Sequence, residues 1–160
     1  MASTETFRGA QNAFTFLYAY LNTVGQEIGM ERAIALDTTM CEHMGTHQGR
    51  AIKAQAGLDQ VDVALASSLA ARSIDEALGI SSEVIEESAQ RVVLKVGRCP
   101  IYEAAQALGM DGATIEAICR ASALRYMDTM VKQWNPNLGY RLKQFRPSAD
   151  GHCIEEVMLG

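Results

Sequence analysis

Arg91-Val92-Val93-Leu94-Lys95-Val96-Gly97-Arg98-Cys99-Pro100-Ile101-Tyr102-Glu103-Ala104 is the stretch in which a β-pattern gives way to a helical one. Its first six residues alternate and are rich in β-branched side chains, whereas Ile101, Ala104, Ala105 and Leu108 recur at helical spacing. Pro100 suits a first helical position, where its missing N–H is not needed and its φ is already helical. Cys99 therefore stands at a strand-to-helix junction. A thiol there faces the positive end of a helix dipole, which favours thiolate and with it nucleophilicity or metal ligation. It equally suits a small buried apolar residue at a strand end.

Working outward from this junction, the chain divides into a helical first half and a mixed second half. Thr4 or Ser3 can cap a first helix bearing Phe7, Ala10, Phe14, Leu17, Leu21 and Val24 on one face, widened by Phe16, Tyr18 and Tyr20. Gly25 and Gly29 mark its end. So broad an apolar surface predicts packing on two sides, within the domain and against a second copy, hence a homodimer. A second long helix runs from Met30 to about Ala56, with Gly57 as its stop. A third is expected over 59–71, followed by a separate turn in which Ser73 and Glu76 form a capping box. Gly79 closes the helical half.

Glu83 to Glu87 and Arg91 to Val96 read as a β-hairpin whose second strand turns Val92, Leu94 and Val96 to one face. After Pro100 a short helix reaches Leu108, and Asp111 caps another that continues to about Trp134, stopped by Asn135-Pro136-Asn137. Two more strands follow, over 138–146 and 153–159, separated by the turn Pro147-Ser148-Ala149-Asp150-Gly151. Tyr140, Leu142 and Gln144 should share one face of the first. The expected fold is α+β: a helical N-terminal half, then a four-stranded antiparallel sheet with two helices inserted between strands two and three.

The 160 residues amount to a single domain, 1–160, with 48% hydrophobic and 21% charged residues and no low-complexity segment. A net charge of −5 with scattered basic residues gives no surface for tracking phosphates, so nucleic acid is set aside. The run from Ala13 to Leu21 is well short of the roughly 20 residues that span a bilayer, so no membrane partner is expected. Glu5 occupies what would be a basic leader, and no small-x-small site follows, so the run reads as mature helix. Four cysteines, at 41, 99, 119 and 153, then fit a reducing cytoplasm in which thiols pack, ligate or react.

Two constellations carry chemistry. Glu116 and Cys119 lie three apart on one helical face, and with Cys99 and Cys153 they could form a three-thiol, one-carboxylate site for zinc or iron. Otherwise the two later cysteines are core residues, Glu116 is a solvated charge and there is no cofactor. His43 and His47, four apart on the second helix, are a second choice for a divalent metal, although helical histidine pairs also arise by chance. Gly45 and Gly49 interleave with them and predict a close approach to another backbone or a ligand.

Cys99-Pro100 opening a helix, the helical Cys119, Asp128, the helix stop Asn135-Pro136 and Asp150-Gly151-His152-Cys153 before the last strand together resemble the L-2-amino-thiazoline-4-carboxylic acid hydrolase family. Gly29-Met30-Glu31-Arg32-Ala33 extends the likeness into the first half. The resemblance implies a small cytoplasmic domain that hydrolyses a cyclic amidine or amide, for the founding activity a thiazoline opened to N-carbamoyl-L-cysteine. Glu116 to Cys119 is also distantly similar to the Glu-x-x-Cys helix of the 4-vinyl reductase domain, which implies the alternative of a non-catalytic small-molecule-binding or sensory module with a structural metal. Ring opening needs a nucleophile, a proton carrier and a holder for the substrate. By residue type, a metal-bound hydroxide or the Cys99 thiolate fits the first role, Asp128 (or Glu116) and His152 fit the second, and Arg120, Arg125 and Asn135 fit the third. Arg120 and Arg125 also suit plain solvated helix charges.

Overall fold

The computed structural model describes residues 4–57 and 59–160. Helix α1 spans Thr4–Ile28 and α2 spans Met30–Ala56, so the two are parted only by Gly29, whose φ of 89° is open to glycine at little cost. Gly25 does not end α1. It stays helical and packs against Met30. Ser3, one of the two expected caps, lies outside the described residues. Gly57 ends α2 in the left-handed conformation, its N–H donating to the Lys53 carbonyl.

Helix α3 covers Val63–Leu78, and its cap is Asp62, which accepts from the Leu65 N–H at 2.8 Å. Ser73 and Glu76 sit inside this continuous helix, so they form no capping box: with Ala70 fully buried and Ile74 packed on the same core, the burial stripe carries the helix through. Strands β1 (Ser82–Glu87) and β2 (Arg91–Val96) form the hairpin, with a bulge between Val84 and Glu86.

Helix α4 spans Pro100–Ala107, with Cys99 as N-cap and Pro100 in the first turn. The long helix expected from Asp111 is two, α5 (Gly112–Ala121) and α6 (Ala123–Trp134), broken at Ser122. The Ser122 hydroxyl donates to Asp37 on α2, and both side chains are buried. A contact between residues so distant in sequence redirects the chain where local periodicity would continue it.

Strands β3 (Leu138–Gln144) and β4 (Cys153–Leu159) complete an all-antiparallel sheet ordered β1-β2-β4-β3, with the last strand inside. Tyr140 and Leu142 point inward as their alternation requires, but a bulge between Leu142 and Gln144 resets the phase. Gln144 is consequently exposed, and Phe145 packs inward. Two apolar clusters result: one joins the sheet to α3 and α6, the other joins α1 and α2 to α4 and α5. Cys99, Phe145 and Leu78 touch both.

Candidate functional site

Between these clusters lies a cavity of about 300 Å³. Tyr18, Ile101, Tyr102 and Ile115 line it from the helical cluster, and Ile80, Val96, Leu124, Met127, Tyr140 and Cys153 from the sheet cluster. Helices α2 and α3 make almost no contact with each other. The surface groove between them shares Ser73, Ala77 and Tyr126 with the cavity wall.

Few polar groups face this space. The Tyr140 hydroxyl donates to Glu155, whose carboxyl is held above its ordinary value by burial, against the opposing pull of Tyr140 and of the Arg146 charge. Glu155 is half-buried and borders the cavity, and loss of water is the leading cause of its upward shift. Across the cavity, Asp37 and Ser122 form their buried pair beside Cys41. The Tyr18 hydroxyl makes no hydrogen bond among the described residues, and burial raises it beyond its usual range. Arg146 is buried too, with Nη2 donating to the Gly97 carbonyl at 2.6 Å and Nη1 to the Gly151 carbonyl at 3.2 Å.

All four cysteines are free and line the cavity. Cys99 is pushed up to about 11 by burial, although the Tyr102 and Ile101 N–H groups and Arg146 pull the other way. The helix N-terminus acts on Cys99 as the sequence suggested, but desolvation outweighs it, and the thiol keeps its proton at neutral pH. Burial likewise raises Cys119 and Cys153, and takes Cys41 to about 12 with help from Asp37 and Glu42.

The remaining expected residues stand elsewhere. Glu116 forms an ion pair with Arg120 at 2.8 Å on the surface of α5 and does not join the thiols. Among the described residues no group of three or more His, Cys, Asp or Glu side chains is placed to share a metal ion, so the expected zinc or iron donor set does not fit this arrangement. His43 and His47 are exposed and border a shallow surface depression with Arg50. Asp128 ties α6 to β3 by accepting from the Tyr140 N–H at 3.1 Å and from Lys132. Arg125 pairs with Glu42. Asn135 donates to the Val61 carbonyl at 3.0 Å, and half-buried His152 precedes β4 without lining the cavity.

Sequence reasoning missed Glu155, Tyr140 and Arg146 as site residues. A signal for Glu155 existed. Cys153, Glu155 and Val157 share one face of β4, opposite Val96, Leu94 and Val92, so an inward Cys153 entails an inward Glu155. No comparable signal marks Arg146, which follows a bulged strand.

A family model described as L-2-amino-thiazoline-4-carboxylic acid hydrolase matches residues 9–142. No curated protein matches the chain. Among solved structures, the chain is similar to the crystal structure of the phenol-responsive sensory domain of the transcription activator PoxR with phenol. The TM-score is 0.62 at 14% identity, covering 91% of this chain and 74% of that one, a likeness of fold alone.

Proposed function

Since this chain belongs to the L-2-amino-thiazoline-4-carboxylic acid hydrolase family, we propose that it binds a small cyclic amidine or amide in the cavity between its two cores and opens the ring by hydrolysis. The observation that carries this reading is Glu155: a half-buried carboxyl on the cavity wall, bonded to Tyr140 and shifted by desolvation toward holding its proton more tightly than usual. Desolvation of this kind moves a carboxyl in the direction that general acid–base work requires.

For 2-amino-thiazoline-4-carboxylate, water adds to the carbon between nitrogen and sulfur, and that carbon–sulfur bond then breaks. One water is consumed and N-carbamoyl-cysteine is released with a free thiol. Ionised Glu155 accepts the proton of the attacking water and returns it to the departing sulfur, while the Tyr140 hydroxyl keeps the carboxyl oriented. Direct attack by Cys99 is the less favoured route, because a thiol raised to about 11 offers little thiolate at neutral pH. No step runs through a metal, and Asp128 and His152 have no part in this scheme. Free thiols fit a reducing, cytoplasmic setting, and no helix among the described residues is long and apolar enough to cross a membrane.

A second reading, a ligand-binding module without turnover, draws on the predominantly apolar lining and on the fold shared with a sensory domain. One experiment separates the two. The protein is incubated with 2-amino-thiazoline-4-carboxylate while new thiol is titrated and the product is weighed by mass spectrometry for the gain of one water. Catalytic thiol release that Glu155→Gln lowers by about 10²- to 10⁴-fold, with ligand still bound, supports the hydrolase. Saturable binding with no thiol release supports the binding module instead.

A further inference from the structure

Six arginines, Arg72, Arg91, Arg98, Arg120, Arg125 and Arg141, each lie within 4.0 Å of a carboxylate. Arg146 is the most deeply buried arginine among the described residues, at 2% exposure, and it has no ion pair among them. Buried charges are ordinarily paired, because losing water without gaining a counter-charge is costly. Two backbone carbonyls, of Gly97 and Gly151, hold the guanidinium, the Cys153 thiol also meets its side chain, and the Tyr102 ring lies 5.5 Å from it. Those contacts fix its orientation without neutralising it. A guanidinium has five N–H donors, so capacity remains on a group that lines the cavity. Glu155 is the other charged-type group on this side, and it lies outside ion-pair distance of Arg146.

We propose that Arg146 is the anion anchor of the cavity, so that the site selects compact ring compounds bearing a carboxylate. The proposal deepens the hydrolase reading by naming a recognition residue, and it takes from that reading only the location of the ligand. The Gly97 and Gly151 contacts also pin the ends of β2 and the turn before β4, so Arg146 is a binding residue with a structural duty. Its test must read carboxylate selectivity, which a purely structural role would not move.

Calorimetry on the full chain compares two ligand pairs: 2-amino-thiazoline-4-carboxylate against 2-amino-thiazoline, and benzoate against benzyl alcohol. The expected result is a preference for the carboxylate of about 10- to 100-fold, the worth of a charge-assisted bidentate contact. Arg146→Gln should reduce it to less than about threefold while leaving the uncharged partner's affinity intact. Arg146→Lys should keep part of it. If Arg146→Gln does not fold, the wild-type preference and the lysine variant decide. Equal wild-type affinity within both pairs overturns the proposal, as does a preference that survives Arg146→Gln, or no binding of any of the four compounds. Carboxylate preference without thiol release defeats the hydrolase reading and leaves the anchor standing; thiol release without carboxylate preference does the reverse.

Discussion

Glu155 and Glu156 are adjacent and both lose water, yet they face opposite sides of the sheet and meet opposite fates. Glu156 is covered on the outer face by Arg141 and Lys143, which supply positive charge. Glu155 faces the cavity and has the Tyr140 hydroxyl in place of an ion-pair partner. Its folded pKa therefore lies above the ordinary 4.5, with desolvation as the leading cause. The sign follows from linkage. The folded state binds the Glu155 proton more tightly than the unfolded chain does, so this stabilising contribution is complete below the ordinary value and is lost as pH rises through the folded one. Glu155→Gln removes the titration while keeping the size and an acceptor for Tyr140. Urea unfolding across pH 4 to 9 should show wild type losing stability relative to Glu155→Gln as pH rises, by at most about 1.4 kcal/mol per pH unit within the window. A stability difference independent of pH would mean that Glu155 titrates like a solvated carboxylate, and it would lose its qualification as the acid–base group.

Among the elements, α2 and α6 are the pair that most depends on missing side chains. A Cβ on Gly45 would collide with the Tyr126 carbonyl oxygen, and one on Gly49 would stand 2.6 Å from that of Met130. The Trp134 indole N–H donates to the Gly49 carbonyl at 3.0 Å, which locks the crossing. Gly49→Ala must push apart two backbones and should cost about 1–3 kcal/mol or more. Gly9→Ala on α1, with nothing within 4 Å, should instead stabilise by about 0.5–1 kcal/mol. Thermal melts of both variants check this, and equal shifts would show that the crossing tolerates expansion. The close approach at Gly45 and Gly49 was legible in the sequence because glycines at helical spacing have few other uses. Asp111, Pro100, Gly57 and Gly79 were legible for a similar reason, since a cap is written in the residues it serves. The break at Ser122 was not, because its cause is Asp37, remote in sequence and adjacent only after folding. The same limit governs the site. The thiols were visible as a residue type, but whether Cys99 is acidic depends on how much water the fold removes, and Arg146 became conspicuous only when every nearby carboxylate proved to be out of ion-pair reach.

For the molecule as a whole, a core divided by a cavity means that a ligand bound there, as proposed, would tie the helical cluster to the sheet cluster. Outside that seam one feature is unaccounted for by the fold. Phe16 and Tyr20, four apart on α1, are 80% and 64% exposed, and Leu36 on α2 is 57% exposed. Met40 and Met44 continue the Leu36 row at helical spacing, are exposed on the outside, and also line the cavity. Helices α1 and α2 fold back at Gly29 and pack together, so both rows belong to one helical hairpin and make up its exposed apolar strip. Monomers seldom leave so many large apolar groups together in water. We expect a second copy of the chain to cover the strip, since a two-fold axis sets the same patch of two copies against each other. Sedimentation equilibrium at micromolar concentration should then give twice 17.4 kDa. Phe16→Asp combined with Leu36→Asp should return the mass to 17.4 kDa. Neither residue lines the cavity, so ligand affinity measured on the double variant reports whether the second copy contributes to the site. A wild-type species of 17.4 kDa would sink the dimer and leave the strip to a different partner. A dimer that survives the double substitution would move the interface off α1 and α2, with the outer face of the sheet around Glu156 as the next surface to alter.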